Sequence, residues 1–329
     1  MSRIRKLYWF DRKSTEEMIS FLNNRASDTY ISHIMFNPFA PLHHLLPLKM
    51  KFLPESYILC ENKSPKALIT IAPTRRNSER LEIQKLFFEE GAYSDACELV
   101  QYVVARYKAQ GAFSILAKVD DYLPDLLSTF VSKCGFSQIS YEKLWKVNKF
   151  VEKDFNKKFF RIFRNSDAQA VANLYNDSLL PHLRVLLNKD AKEYQENILN
   201  GLSYFSEYKY VIEDNKNVLA CFVIRTYDNQ NFVVDIIQTS WVELDLDSIL
   251  AYLSYQIKKR KKRFALFVRT KSYTQMGEKY EQYLSEQGFE CVQNKILLTN
   301  SSAKVLKNSS KTGKYTILGD FCSSNIMPV

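Results

Sequence analysis

The segment YILCENKSPKALITI (Tyr57–Ile71) recurs in altered form as YVIEDNKNVLACFVI (Tyr210–Ile224), 153 positions further along the chain. In each copy a β-rich run meets Asn-Lys and resumes as a second β-rich run, which is the pattern of a strand, a tight turn and a returning strand. Each copy therefore predicts a β-hairpin. The same offset relates SKCGF (Ser132–Phe136) to SEQGF (Ser285–Phe289), and in both the glycine sits between a helical and an extended pattern. Glycine suits that corner because the residue after a helix often takes a positive φ.

Between these landmarks LEIQKLFF (Leu81–Phe88) and NFVVDIIQ (Asn231–Gln238) both read as strands leading into helices. The openings IRKLYWFD (Ile4–Asp11) and FRIFRNSD (Phe160–Asp167) each place a short strand before an Asp at a helix start. After Leu81–Phe88, the spacing of Ala96, Leu99, Val100, Val103 and Val104 predicts a helix over about 93–108. A strand at 113–119, a helix at 123–133 and a strand at 138–147 follow. The second copy predicts a helix at 247–259, a strand at 263–270, a helix at 275–287 and a strand at 290–298. One internal duplication thus accounts for the order of elements in both halves.

The chain has 329 residues, which fits two domains better than one. The charged, aperiodic stretch 148–158 places the boundary near residue 152, giving domains 1–150 and 155–300 and a Ser/Asn/Lys-rich tail 301–329 read as mobile or peripherally docked. With 46% hydrophobic residues, 22 Phe and 20 Tyr, a disordered chain is excluded. No long uncharged apolar run and no apolar segment behind the basic N-terminus exist, so the expectation is a cytoplasmic protein without membrane contact. Six scattered cysteines and four dispersed histidines predict reduced thiols and no metal site. The net charge of +10 favours acidic partners.

The order of elements, with a helix after the fourth strand and a last helix ending in Gly-Phe, resembles the GNAT N-acetyltransferase superfamily. FVSKCGF (Phe130–Phe136) and YLSEQGF (Tyr283–Phe289) are similar to the aromatic and Gly-Phe ending of the final GNAT helix. The resemblance covers both halves and implies an α+β chain of two tandem GNAT-like domains, each a mixed, mostly antiparallel central sheet flanked by helices. It also implies acyl transfer from acetyl-CoA or another acyl-CoA to an amine, small-molecule or protein. The co-substrate would lie where the fourth and fifth strands part, with its pyrophosphate at the next helix N-terminus. By that analogy it would contact Phe87, Phe88 and Gly91 in the first half and Gln238, Thr239 and Ser240 in the second.

The family's loop, Arg/Gln-x-x-Gly-x-Gly/Ala, is altered here. Glu90, Gly91, Tyr93 and Asp95 stand at the loop positions of the first copy, so one glycine remains. In the second, Trp241, Val242, Leu244 and Leu246 stand there, with Glu243, Asp245 and Asp247 nearby. Carboxylates beside a pyrophosphate cost about 1 kcal/mol or more per close pair, although acids at a helix N-terminus also complement its dipole. The resemblance further implies Tyr283 as proton donor to a leaving thiolate, with Tyr280 as a weaker substitute, and the first copy has Phe130 instead. Asp235 and Glu82 lie on the strands that would carry a general base, although alternation also places such carboxylates on a solvent face.

The rival expectation is a non-catalytic, degenerate GNAT scaffold that binds RNA or a protein through a basic surface. Lys258, Lys259, Arg260, Lys261, Lys262 and Arg263 form the most basic run and the polyanion candidate, yet cations at a helix C-terminus also complement its dipole. His43 and His44 sit in a Pro-bounded apolar loop that the resemblance places by the acceptor.

Overall fold

A computed structural model describes residues 2–11, 13, 15–16, 54–62, 64–74, 77–89, 91–148, 160–196, 206–215, 217–301, 304–307 and 315–318. His43, His44, Glu90 and most of the 148–158 boundary stretch lie outside them.

The first half runs β1 (Ser2–Lys6), β2 (Glu55–Glu61), β3 (Ser64–Thr74), β4 (Asn77–Phe88), α1 (Tyr93–Ala109), β5 (Ser114–Asp120), α2 (Pro124–Ser132) and β6 (Ser137–Lys146). The second runs β7 (Phe160–Ile162), α3 (Ala168–Ser178), the single turns α4 (Arg184–Leu187) and α5 (Ala191–Tyr194), β8 (Ser206–Asp214), β9 (Asn217–Thr226), β10 (Asn231–Gln238), α6 (Leu246–Lys258), β11 (Ala265–Lys271), α7 (Gly277–Glu286) and β12 (Glu290–Ser301). A small antiparallel pair, β13 (Lys304–Lys307) with β14 (Tyr315–Leu318), forms within the tail.

The duplication extends to hydrogen-bond register. Tyr57 pairs with Ile69 in the first hairpin and Tyr210 with Phe222 in the second, and the pairing shifts by one residue just after Leu59 in one and just after Ile212 in the other. Both turns hold an asparagine at φ 50°, Asn62 and Asn215, a conformation that Asn tolerates better than most residues. Gly135 and Gly288 have φ 68° and 72°, so both Gly-Phe corners use the left-handed geometry that glycine permits. The openings match too. Arg5 forks onto Asp11 at 2.6 Å through both terminal nitrogens, and Arg161 forks onto Asp167 at 2.7 and 2.9 Å.

By compactness the chain divides into residues 1–139 with 297–329, and residues 140–296. The first unit's strands run β1-β2-β3-β4-β5 and then the end of β12, and the second unit's run β6-β11-β10-β9-β8-β7. The packing boundary therefore differs from the repeat boundary, because the last strand of each repeat contributes to the other unit. Within each unit the strands are antiparallel except for one parallel pair, β4 with β5 and β10 with β11.

Apolar burial follows the predicted faces. All five stripe residues of α1 are buried. In the second unit one sheet face (Phe222, Phe232, Val234, Leu266, Val268) packs with Ile249, Leu250, Leu253 and Ile257 of α6 and with Tyr280 and Leu284 of α7. Full burial of each such Leu, Ile or Phe is worth about 1.5–3 kcal/mol.

The end of β12 is fixed into the first unit by buried Leu297 and Leu298 and by the Asn300 amide, which donates to the carbonyls of Cys134 and Gly135 at 3.0 and 2.9 Å. Asn300→Ala deprives two carbonyls of their donor and is expected to cost about 1–3 kcal/mol. Urea denaturation measures this, and an unchanged midpoint would show that the corner does not depend on the amide.

Candidate active site

Both parallel pairs come apart at the same stage. β10 pairs with β11 from Asn231 to Asp235, yet stays paired with β9 through Gln238. Likewise β4 pairs with β5 from Arg80 to Ile83, yet stays paired with β3 through Phe88. Each fourth strand thus runs on without its parallel neighbour, so its last residues lack a strand partner on that side, and the chain then enters a helix. The start of a helix concentrates unpaired N–H groups and positive potential.

In the second unit Gln238 and Thr239 are buried at this strand end. Gln238 donates through Nε2 to the carbonyl of Val242 at 3.1 Å, which folds the loop back on the strand. Gln238 Oε1 and Thr239 Oγ1 have no hydrogen-bond partner among the described residues. Ser240 Oγ donates to Gln275 Oε1 at 2.8 Å, and Trp241 is exposed. Helix α6 begins without a side-chain cap. Asp245 instead accepts from the Ser248 hydroxyl at 2.6 Å, and Asp247 accepts from the Tyr283 hydroxyl. Burial and then this hydrogen bond raise the Tyr283 pKa above the usual phenol range. The acidic residues of the loop are therefore tied to the start of α6, and Tyr283 is brought to the same place from α7. Tyr280 is buried, with its hydroxyl lacking a partner among the described residues.

Asp235 lies at the last rung of the parallel ladder, opposite Arg269. It is buried, not on a solvent face: its Oδ2 meets Arg225 at 2.9 Å and Arg269 at 3.8 Å, and its Oδ1 meets Lys271 at 2.8 Å. Burial pushes its pKa up, but attraction to Arg269, Lys271 and Arg225 and the Lys271 hydrogen bond outweigh this and hold it well below 3.8. A carboxylate so held is a counter-charge and a poor proton acceptor. Arg225 continues the network to Glu207 at 2.7 Å, and Glu207 to buried Lys209 at 3.1 Å. The sequence carried a signal for this: Arg269 and Lys271 alternate in the strand ALFVRTK, which puts two cations on one face.

The first unit's opening is lined differently. Phe87 and Phe88 end β4, and the Phe88 ring stacks at a tilt on Tyr93, with centroids 5.5 Å apart. Gly91 has φ 81° and open space where a Cβ would lie. Glu89 pairs with Lys66 at 2.9 Å and Glu82 with Lys118 at 3.4 Å. Phe130, at the place of Tyr283, is buried edge-on against Phe136 and supplies no proton. Sequence reasoning missed Glu55, which accepts from the Tyr57 and Tyr107 hydroxyls at 2.6 and 2.7 Å and from Lys6 at 2.8 Å.

Among the described residues no group of three or more His, Cys, Asp or Glu side chains is placed to hold a metal, and no helix is long and apolar enough to cross a membrane. Lys258, the last residue of α6, and Lys259 to Arg263 beyond it are all exposed.

No protein-family model matches the chain, and no curated protein matches it in sequence. Solved structures match it over nearly its whole length. A tandem GNAT protein from the clavulanic acid biosynthesis pathway superposes with a TM-score of 0.59 at 9% identity, covering 92% of this chain and 98% of its own. The fold is a tandem GNAT fold. A GCN5-related N-acetyltransferase from Sphaerobacter thermophilus matches at TM-score 0.57 and 8% identity, covering 91% of this chain and 95% of its own. The glucosamine N-acetyltransferase region of a fungal multi-domain β-N-acetylglucosaminidase matches at 0.58 and 11% identity, over 91% of this chain and 38% of that one. Within the second unit β10 and β11 are the parallel strands that part, and Asp235 stands at the last paired rung.

Asp235→Asn removes the shared counter-charge of three cations and is expected to cost about 3–5 kcal/mol in chemical denaturation. Because the folded-state pKa of Asp235 is depressed, its contribution is complete above pH 3.8 and is lost as the pH falls through its lower folded value. The wild-type chain should therefore lose stability more steeply than the Asn variant below about pH 4, and equal slopes would contradict the ion cluster.

Proposed function

We propose that this chain is an acyl-CoA-dependent N-acyltransferase acting on an amine, with its working site in the second unit. The observation that carries this reading is the interrupted β10–β11 ladder, followed in the chain by a start of α6 without a side-chain cap, with Gln238 Oε1 and Thr239 Oγ1 at the strand end buried and without partners among the described residues. Backbone groups of Gln238, Thr239 and Ser240 and the first N–H groups of α6 would hold the acyl-CoA. That helix start favours phosphate through its dipole, while Glu243, Asp245 and Asp247 oppose it. Two of these three acids are already engaged, one by Ser248 and one by Tyr283. Bound acyl-CoA supplies an activated thioester carbonyl. The chain's own contribution is to orient that carbonyl at the fork, exclude water with the buried residues around Gln238, and hold a proton at Tyr283 Oη.

Asp235 keeps its charge among the cations in this scheme, so the amine loses its proton to water. In the first unit, Phe87, Phe88 and Gly91 line an equivalent opening without a tyrosine, and that unit is assigned no turnover.

Titration calorimetry with acetyl-CoA is expected to show micromolar binding. Thr239→Val should weaken it about tenfold, near 1.4 kcal/mol, without lowering Tm, because the lost hydroxyl has no partner among the described residues. Tyr283→Phe should keep that affinity and slow acyl transfer about 10²–10⁴-fold. Absence of heat with the wild-type protein overturns the proposal.

The second reading, a scaffold without catalysis, is favoured by the run Lys258 to Arg263. All six side chains are exposed, Arg260 lies 4.0 Å from the centroid of the Tyr208 ring and Lys259 4.4 Å from that of Tyr255. Salt-dependent RNA binding together with silence toward acetyl-CoA would select it.

A further inference from the structure

We propose that Cys97 and Cys134 are an oxidative modification site, in which a low-molecular-weight disulfide such as oxidised glutathione joins the two thiols and so staples α1 to the end of α2. This goes beyond the acyltransfer reading and does not depend on it.

Two thiols from separate elements touch in the first unit. Cys97 lies near the start of α1 and Cys134 just after α2, 37 residues further on. Both side chains are buried, and the Cys134 thiol donates to Cys97 Sγ at 3.4 Å. A disulfide closes this to about 2.05 Å, roughly 1.4 Å of approach that rotation about the two Cα–Cβ bonds supplies. The fold itself does not ask for a thiol there. The corner reads SKCGF in the first copy and SEQGF in the second, where exposed Gln287 stands at the place of Cys134. Both corners turn through a glycine at positive φ. The repeat thus builds this corner with an exposed polar side chain, and only the first copy turns a cysteine inward to meet a second one on α1.

The chemistry balances with one oxidant. One protein thiolate attacks a sulfur of oxidised glutathione, breaks its S–S bond and releases one reduced glutathione. The second thiolate attacks the mixed disulfide, and the other glutathione leaves as a thiol. The two protein thiols lose two protons and two electrons, and oxidised glutathione takes them up. Burial and the contact with Cys97 push the Cys134 thiol up to about 12, so its thiolate forms when the corner opens to water. Asn300 holds that corner by donating to the carbonyls of Cys134 and Gly135. Oxidation is therefore slow, and the bond once made is equally sheltered from reductants. It closes a loop that contains β5, α2 and most of α1, and it fixes the start of the helix that follows the first unit's strand fork.

The full chain is incubated to constant composition in glutathione buffers of graded reduced-to-oxidised ratio. Remaining thiols are then alkylated and the digested peptides are mapped by mass spectrometry. Melting is followed in parallel for wild type, Cys97→Ala and Cys134→Ala. In oxidising buffer a peptide pair cross-linked through Cys97 and Cys134, lighter by two hydrogens than its free thiols, should accumulate and disappear with dithiothreitol. Oxidised wild type should melt about 5–10 °C above reduced wild type, because the closed loop constrains the unfolded chain. Neither alanine variant should show that increment. Packing lost on substitution lowers melting equally in both buffers, so the redox-dependent increment is the deciding reading. Both thiols still open to alkylation in the most oxidising buffer, or glutathione adducts on them without a cross-link, overturn the site. An equal increment in wild type and both variants, or a cross-link that leaves melting unchanged, overturns the staple.

Discussion

Everything at the candidate site depends on a parallel strand pair that is not allowed to continue. Adjacent parallel strands normally hydrogen-bond along their shared length, and unpaired backbone groups inside a fold are costly. Here β10 outlasts its ladder with β11 by three residues while remaining paired to β9. Backbone groups at the fork are left to find another partner, and the chain then enters a helix whose first N–H groups also lack helical partners. The arrangement occurs twice, with hairpin register preserved to the position of the bulge. The constraint thus belongs to the repeated unit and not to a local accident.

The two faces of the second unit's sheet divide the work. One is apolar and holds α6 and α7 in place, which fixes where the helix start points. The other carries Glu207, Lys209, Arg225, Asp235, Arg269 and Lys271, an investment in buried charge that apolar residues would avoid. Buried ion pairs seldom stabilise more than well-packed hydrophobic residues of the same size, so the network is better understood as a device that sets charge at the fork. In the first unit β4 and β5 are joined by the partly exposed Glu82–Lys118 pair. The two copies have therefore diverged in chemistry while keeping their fold.

Much of the fold was legible because hairpins, Gly-Phe corners and amphipathic helices are local patterns. The two Asn-Lys turns and the stripe of α1 required no tertiary information. The exchange of last strands was not legible, since β6 and β12 have the same alternating pattern whichever sheet receives them. The site was read in part. Gln238 and Thr239 were reachable by analogy with a known strand end, whereas the fate of Asp235 depended on cations from β9 and β11, which neighbour it only across the sheet. Arg269 and Lys271 carried a visible alternation, but a strand's sequence does not say which of its faces will be covered.

The most direct measurement of the central claim is amide hydrogen exchange with and without acetyl-CoA. The backbone groups of residues 238–249, at the strand end and the start of α6, should gain protection, because ligand oxygens would take up N–H groups now without a helical partner. Residues 88–96 of the first unit should exchange unchanged. Protection confined to the first unit, or to neither, would contradict the account.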